Sequence, residues 1–295
     1  MINKQQIEEN LRRSNLEPEL IKALIDLAIS EDLMGGSDVT SLSTIPETQK
    51  SQLDLVSRKE GLVAGIDVAS LVFYAIGKGQ IQIEQKVKDG EKVNANTTLL
   101  SVIGPTIDLL TVERTALNFL SHLSGIATMT NKWVREIENT KAKVRDTRKT
   151  TPGLRVLEKY AVRCGGGLNH RMSLNDQALI KDNHIVAAGS ISKAISKVKD
   201  KFPELELEIE VDNLDQLKEV LTTDVKLILL DNFSLEDLKK AVELTQTKAK
   251  LEASGGITFE NARKIAQTGV DYLAVGALTH SAPVLDIGGD LRTIS

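Results

Sequence analysis

Leu227-Ile228-Leu229-Leu230-Asp231-Asn232-Phe233-Ser234-Leu235-Glu236-Asp237 holds a strand, a polar break and a helix start in one short run. The four apolar residues suit a strand buried on both faces. Asp231 then sets a carboxylate at the strand's end, where burial is costly unless the acid is paired or metal-bound. Ser234, followed three residues later by Asp237, opens a helix in capping-box style. The same rhythm runs through the second half of the chain. Strand candidates end at Asp146, Lys181, Val211, Leu230, Ala253 and Val275. Helix patterns follow most of them: Ile191, Ala194, Ile195 and Val198 form one apolar stripe, and 259–268 carries another. Alternating strand and helix implies a parallel sheet with right-handed crossovers. Six strands fall short of the eight of a closed barrel. The expected fold is α/β, an incomplete open barrel over 116–281, with a doubly wound sheet as the alternative.

The first half reads differently. Residues 16–31 have helical spacing, and Gly35, Gly36 and Ser37 break it. Short β-type runs at 53–56, 81–87 and 99–103 surround an apolar helix at 67–76. These predict a small α+β domain over 1–115. A long helical pattern at 107–138 links it to the barrel, and 282–295 is expected to return to it.

Composition narrows the function. Aromatics make up 3% of the 295 residues, so few stacking platforms exist for single-stranded nucleic acid. A net charge of −4 gives no broad basic field, so any anion site is local. The lone cysteine, Cys164, excludes an internal disulfide and an all-cysteine zinc cage. Residues 1–15 lack the apolar core of a signal peptide, and no apolar run reaches about 18 residues. The expectation is a soluble cytoplasmic protein.

Polar residues or glycines recur where each strand ends, which is where parallel α/β folds build their sites. Arg148 and Lys149 follow the first strand. Lys181 ends the second, and the third ends at Glu210 and Asp212. Asp231 ends the fourth, Ser254, Gly255 and Gly256 the fifth, and Gly276 the sixth. With His170 and Arg171 the cations would repel one another unless an anion offsets them, and arginine grips a carboxylate or phosphate at two points. Arg155 and Arg163 read as solvated helix residues. Glu206 and Glu208 read as a solvated strand face. Glu210 and Asp231 suit magnesium, which takes few protein oxygens. The glycine turns at 254–256 and 275–277 suit a phosphate held by backbone amides.

Together these motifs resemble the quinolinate phosphoribosyltransferases. Those that carry the likeness include Glu113-Arg114-Thr115-Ala116-Leu117-Asn118, Asp146-Thr147-Arg148-Lys149-Thr150-Thr151-Pro152-Gly153 and Gly165-Gly166-Gly167-Leu168-Asn169-His170-Arg171. Leu179-Ile180-Lys181-Asp182-Asn183-His184, Glu210-Val211-Asp212-Asn213 and Glu252-Ala253-Ser254-Gly255-Gly256 continue it in the expected order. The resemblance covers nearly the whole chain. It implies conversion of quinolinate and phosphoribosyl pyrophosphate to nicotinate mononucleotide, pyrophosphate and carbon dioxide, with Mg2+ and a homodimer or larger homo-oligomer. It implies that Arg148, His170, Arg171 and Lys181 meet quinolinate, with Arg114 from a partner subunit. It assigns the phosphoribosyl group and metal to Lys149, Lys181, Glu210 and Asp231, and counts Thr147 among the substrate-binding residues. The phosphate falls to Ser254, Gly255, Gly256, Val275, Gly276 and Ala277. Lys149, Lys181, Glu210 and Asp231 are the implied catalytic residues, and Cys164 is left a packing role. The 34–37 loop and Ser173, where the family often has glycine, depart from the pattern.

Two rivals remain. One is a related protein of the molybdenum-transport type, with the same fold and another substrate. The other is a carrier or binding module, suggested by 87–104, although no lysine sits in the hairpin such a module needs.

Overall fold

The structure, a computed structural model, describes residues 1–76 and 80–294. Ser295, the last residue of the expected return segment, lies outside them. The chain opens with α1 (Lys4–Arg13), α2 (Pro18–Leu33) and α3 (Val39–Thr44). Then come β1 (Lys50–Ser57), β2 (Gly61–Leu62), α4 (Ile66–Ile76), β3 (Gln82–Gln85), β4 (Lys92–Val93), β5 (Thr98–Pro105) and α5 (Thr106–Glu136). The βα series is β6 (Lys143–Arg145), α6 (Arg155–Cys164), β7 (Ala178–Ile180), α7 (Asp182–Ala188), α8 (Ile191–Lys201), β8 (Leu207–Val211), α9 (Leu214–Val220) and β9 (Leu227–Asp231). It ends with α10 (Leu235–Thr245), β10 (Lys250–Ser254), α11 (Phe259–Ala266), β11 (Tyr272–Ala274), α12 (Ala277–His280) and β12 (Ile287–Thr293).

Two compact units result. The first comprises Met1–Met129, Thr151–Gly166 and Ala282–Ser295; the second comprises Thr130–Thr150 and Gly167–Ser281. The expected boundary after residue 115 is therefore corrected. One unbroken helix, α5, runs across it, and the division falls after Met129. Helix α6 also leaves the barrel region for the first unit. It buries Leu157, Ala161 and Val162, and its Tyr160 hydroxyl donates to Asp89 at 2.7 Å.

In the first unit an antiparallel sheet runs β12-β1-β5-β3. Leu53 and Leu55 of β1, Leu100 and Val102 of β5 and Phe73 of α4 are fully buried. Each such side chain contributes about 2 kcal/mol by leaving water. β5 lies between β1 and β3, so the carrier-like segment is scaffold. Helix α1 was not anticipated in the polar stretch 1–15. Ile7 and Leu11, four residues apart, bury its one apolar edge. The segment before β12 crosses α5 at Gly125, where an added Cβ would strike the Pro283 carbonyl oxygen.

In the second unit six parallel strands run β6-β11-β10-β9-β8-β7. Strands β7 to β11 are added in sequence on one side, and β6 pairs with the last of them. The order never reverses, unlike that of a doubly wound sheet. This is an open barrel. Its first and second strands do not pair; Leu168 instead bridges β6 at Arg145. All six strand ends fall within one residue of their expected positions.

Candidate active site

The second unit has a cavity of about 420 Å³ at the carboxyl ends of its strands. Thr147, Arg148 and Lys149 reach it from the loop after β6. His170 and Arg171 come from the segment before β7, and Lys181 from the start of α7. Glu210 of β8, Asp231 of β9 and Ser254 of β10 complete the polar wall. A larger cavity, about 490 Å³, lies in the first unit against α2 and α5. Its wall has Leu24, Leu27 and Phe119 with the acids Glu31 and Asp32, and no lysine or arginine. The smaller cavity is the one equipped for anions.

Its cations are uneasy neighbours. Desolvation, followed by the nearby Arg148 charge, holds the Arg171 guanidinium below its ordinary pKa. Arg148 Nε is buried and meets no hydrogen-bond acceptor among the described residues. Arg171 Nη1 donates to the Gln177 carbonyl at 3.2 Å. Among the described residues neither guanidinium forms an ion pair, in contrast to Lys181, whose ammonium is bonded to Glu210. A ligand with two carboxylates satisfies both guanidiniums at once.

The loops are held from behind. Asp146, fully buried, accepts from the His170 backbone N–H at 2.8 Å and from Asn169 Nδ2 at 2.5 Å. Thr279 Oγ1 donates to the Lys149 carbonyl at 2.7 Å. Asp176 accepts from the Met172 and Ser173 backbone N–H groups at 2.5 and 2.9 Å, and the Ser173 hydroxyl, at the departing position, joins it at 3.1 Å.

Gly255 and Gly256 both have positive φ, +79° and +59°, a backbone turn that aims successive N–H groups the same way. A Cβ at Gly255 would overlap Asn232 Oδ1, so only glycine fits. At Gly276 a Cβ would press on Lys149 Cδ at 3.1 Å. Of the expected phosphate residues only Ser254 lines the cavity. Gly255, Gly256, Gly276 and Ala277 lie in the adjoining turns, and Val275 is buried. Arg114 belongs to the first unit, exposed on α5.

One expectation is overturned. Glu208 does not face solvent; it is fully buried, as is Glu252 of β10. Every residue of β8 is buried, because its polar face turns into the barrel. Arg145 of β6 is bonded to Glu252, and His170 Nε2 lies 3.0 Å from Glu208 and 3.6 Å from Glu252. Burial pushes both acids up to about 7. Arg145 and Glu252 were missed in the sequence. Their signal was a charge next to apolar residues in a strand, Arg145 after Val144 and Glu252 between Leu251 and Ala253. Glu206 is exposed as expected, whereas Arg163 is half-buried and donates to the Ser14 carbonyl at 2.6 Å. The Cys164 thiol is pushed up to about 12 by burial and the nearby Asp89, so it is no nucleophile.

Among the described residues two sets of side chains are candidate metal ligands. Glu210 and Asp231 line the same cavity on neighbouring strands. The ligand atoms of His170, Glu208 and Glu252 lie within 4.8 Å of one another, but the Arg145 guanidinium already sits on that set. The Lys181 ammonium shares Glu210, but Asp231 has no cation on it among the described residues, and the cavity pair fits Mg2+, which accepts one or two carboxylates and keeps its remaining places for water and phosphate.

The chain is similar along nearly all of its length to proteins of one family. Residues 38–124 match the quinolinate phosphoribosyl transferase N-terminal domain, and residues 126–290 match the C-terminal domain. A nicotinate-nucleotide pyrophosphorylase (carboxylating) of Mycobacterium leprae is 48% identical over 282 residues, 94% of this chain and 99% of that protein. The crystal structure of NadC from Streptococcus pyogenes is 37% identical, with a TM-score of 0.91 over 95% of this chain and 99% of that one. A nicotinate-nucleotide pyrophosphorylase from Ehrlichia chaffeensis is 41% identical, with a TM-score of 0.88 over 92% of this chain and 98% of that one.

Proposed function

The chain belongs to the quinolinate phosphoribosyl transferase family, and on that footing we propose that it makes nicotinate mononucleotide for NAD biosynthesis. The quinolinate ring nitrogen attacks the anomeric carbon of phosphoribosyl pyrophosphate, and the bond to pyrophosphate breaks. The carboxylate beside the ring nitrogen then leaves as carbon dioxide. Its electron pair stays on the ring carbon, next to the cationic nitrogen, until a proton from water replaces it. The observation that carries this reading is the Arg148–Arg171 pair, two guanidiniums with no ion pair among the described residues, sharing one cavity with a lysine–glutamate pair.

Arg148, Arg171 and Lys181 bind the two carboxylates, and the His170 ring fills the wall beside them. Positive charge develops on the ribose as pyrophosphate departs, and Glu210 and Asp231 stabilise it. Lys149 and Thr147 hold the donor. Its phosphate rests on the turns at Ser254, Gly255 and Gly256 and at Val275, Gly276 and Ala277. Glu210 and Asp231 would hold Mg2+, which neutralises charge on the pyrophosphate when bound. Arg114, exposed on α5, is read as reaching the site of a partner subunit in a homodimer. No helix among the described residues is long and apolar enough to cross a membrane, and we read the location as cytoplasmic.

The test is turnover with quinolinate, phosphoribosyl pyrophosphate and Mg2+. Nicotinate mononucleotide should appear with one pyrophosphate and one carbon dioxide. Its absence would sink the reading and favour the molybdenum-transport-type relative.

A further inference from the structure

Behind the His170 ring lie two acids for which the proposed reaction has no use. Glu208 and Glu252 are fully buried on β8 and β10, and Arg145 balances only one charge of the pair. Their contact with His170 is one of proximity and charge: Nε2 lies close to both acids, although the Glu208 oxygens and Glu252 Oε1 accept no well-formed hydrogen bond among the described residues. The Arg171 backbone N–H donates to His170 Nδ1 at 2.7 Å. A backbone N–H can only donate, so Nδ1 carries no proton and the ring's proton sits on Nε2. That nitrogen is the one facing the carboxylates, at 3.0 and 3.6 Å. Turning the proton to Nδ1 would oppose two donors at Arg171 and set a bare nitrogen against two acids. Both changes are unfavourable, so the acids select one tautomer and one ring orientation.

The ring in turn fixes the next residue. His170 is held at its own N–H by Asp146 at 2.8 Å, and its Nδ1 holds the Arg171 N–H. The peptide between them is therefore pinned at both ends, and the Arg171 guanidinium leaves from a fixed point toward the cavity. A metal at His170, Glu208 and Glu252 is the competing use. It would have to displace or repel the Arg145 guanidinium bonded to Glu252.

We propose that Glu208 and Glu252 are positioning residues for dicarboxylate recognition, acting through the His170 ring on Arg171. The inference rests on the reading that Arg171 binds quinolinate. It assigns the buried acids to the quinolinate side of the site and not to the phosphoribosyl side.

The test compares E208L, which keeps bulk and removes both oxygens facing Nε2, with E208Q, which keeps a carbonyl oxygen there. E208L should raise the KM for quinolinate about tenfold and leave the KM for phosphoribosyl pyrophosphate within about twofold. E208Q should stay within about threefold of the native enzyme for both. Nitrogen-15 spectra of histidine-labelled native protein should show His170 with Nδ1 bare and Nε2 protonated. Equal rises in both KM values, or a proton on Nδ1, would overturn the inference. So would stoichiometric metal at this set in native protein, lost in E208Q. Should E208L fail to fold, the E208Q kinetics and the native spectrum decide. No turnover by native protein defeats the reaction assignment itself; turnover with an unchanged quinolinate KM in E208L defeats only the positioning role.

Discussion

The Lys181 ammonium donates a hydrogen bond to the Glu210 carboxylate, joining the loop after β7 to the neighbouring strand β8. The acid is nearly buried, while the lysine side chain is 43% exposed. An ammonium has three donors, so others can face a substrate. Lys181→Ala should lower kcat about a hundredfold or more, since charge on both substrates loses a fixed counter-ion. The melting temperature should hardly move, because the side chain is half in solvent. Rapid-quench measurement of nicotinate mononucleotide at saturating substrate checks the first expectation, and calorimetry the second.

Arg171→Ala removes one of the two guanidiniums that form no ion pair among the described residues. The KM for quinolinate should rise about 10- to 100-fold, in line with a lost charge-assisted contact. The KM for phosphoribosyl pyrophosphate should change far less. Equal losses on both substrates in steady-state assays would contradict the division of the site.

Gly255→Ala addresses the donor side. Its φ of +79° and the overlap with Asn232 make any Cβ strained, at a cost of about 1–3 kcal/mol. The KM for phosphoribosyl pyrophosphate should rise about tenfold or more as the turn shifts, with quinolinate binding little altered. Isothermal titration with each substrate separates the two.

Glu252 gives the protein a pH dependence of stability. Burial, then the Glu208 charge, raises its carboxyl to about 7 against the pull of Arg145, from an ordinary value of 4.5. The folded protein thus holds this proton more tightly than the unfolded chain does. That stabilisation is complete below about pH 4.5 and is lost as pH rises through about 7. Its full span is on the order of 3 kcal/mol. Glu252→Gln cannot ionise and still offers Arg145 an acceptor. Urea unfolding at about pH 5 and about pH 8 should show a smaller difference for the variant than for the native protein.

What the sequence revealed follows from which signals are local. Apolar runs such as 227–230 and polar residues at their ends are local, so the βα series and the cavity wall were legible together. The assignment of α6 was not, because its partner Asp89 lies 71 residues away. Helix α1 escaped because only Ile7 and Leu11 mark it within a polar stretch. The buried acids escaped for a different reason. Glu206, Glu208 and Glu210 look alike in an alternating strand, yet the first is exposed and the other two are buried. What separates them is the cations that meet the buried two from other parts of the barrel, Arg145 and His170 near Glu208 and Lys181 on Glu210.

Strand β12 pairs with β1 along seven residues, from Ser51 with Thr293 to Ser57 with Ile287. During synthesis β1, β3 and β5 leave the ribosome long before β12 exists. The first unit must wait, its sheet one strand short and one β1 edge open, while the whole barrel is made. Such an edge invites pairing with another chain. In the barrel, β7 to β11 are sequential neighbours and can pair as they are made, whereas β6 waits for β11. Each unit thus keeps an early strand unpaired until a late one arrives.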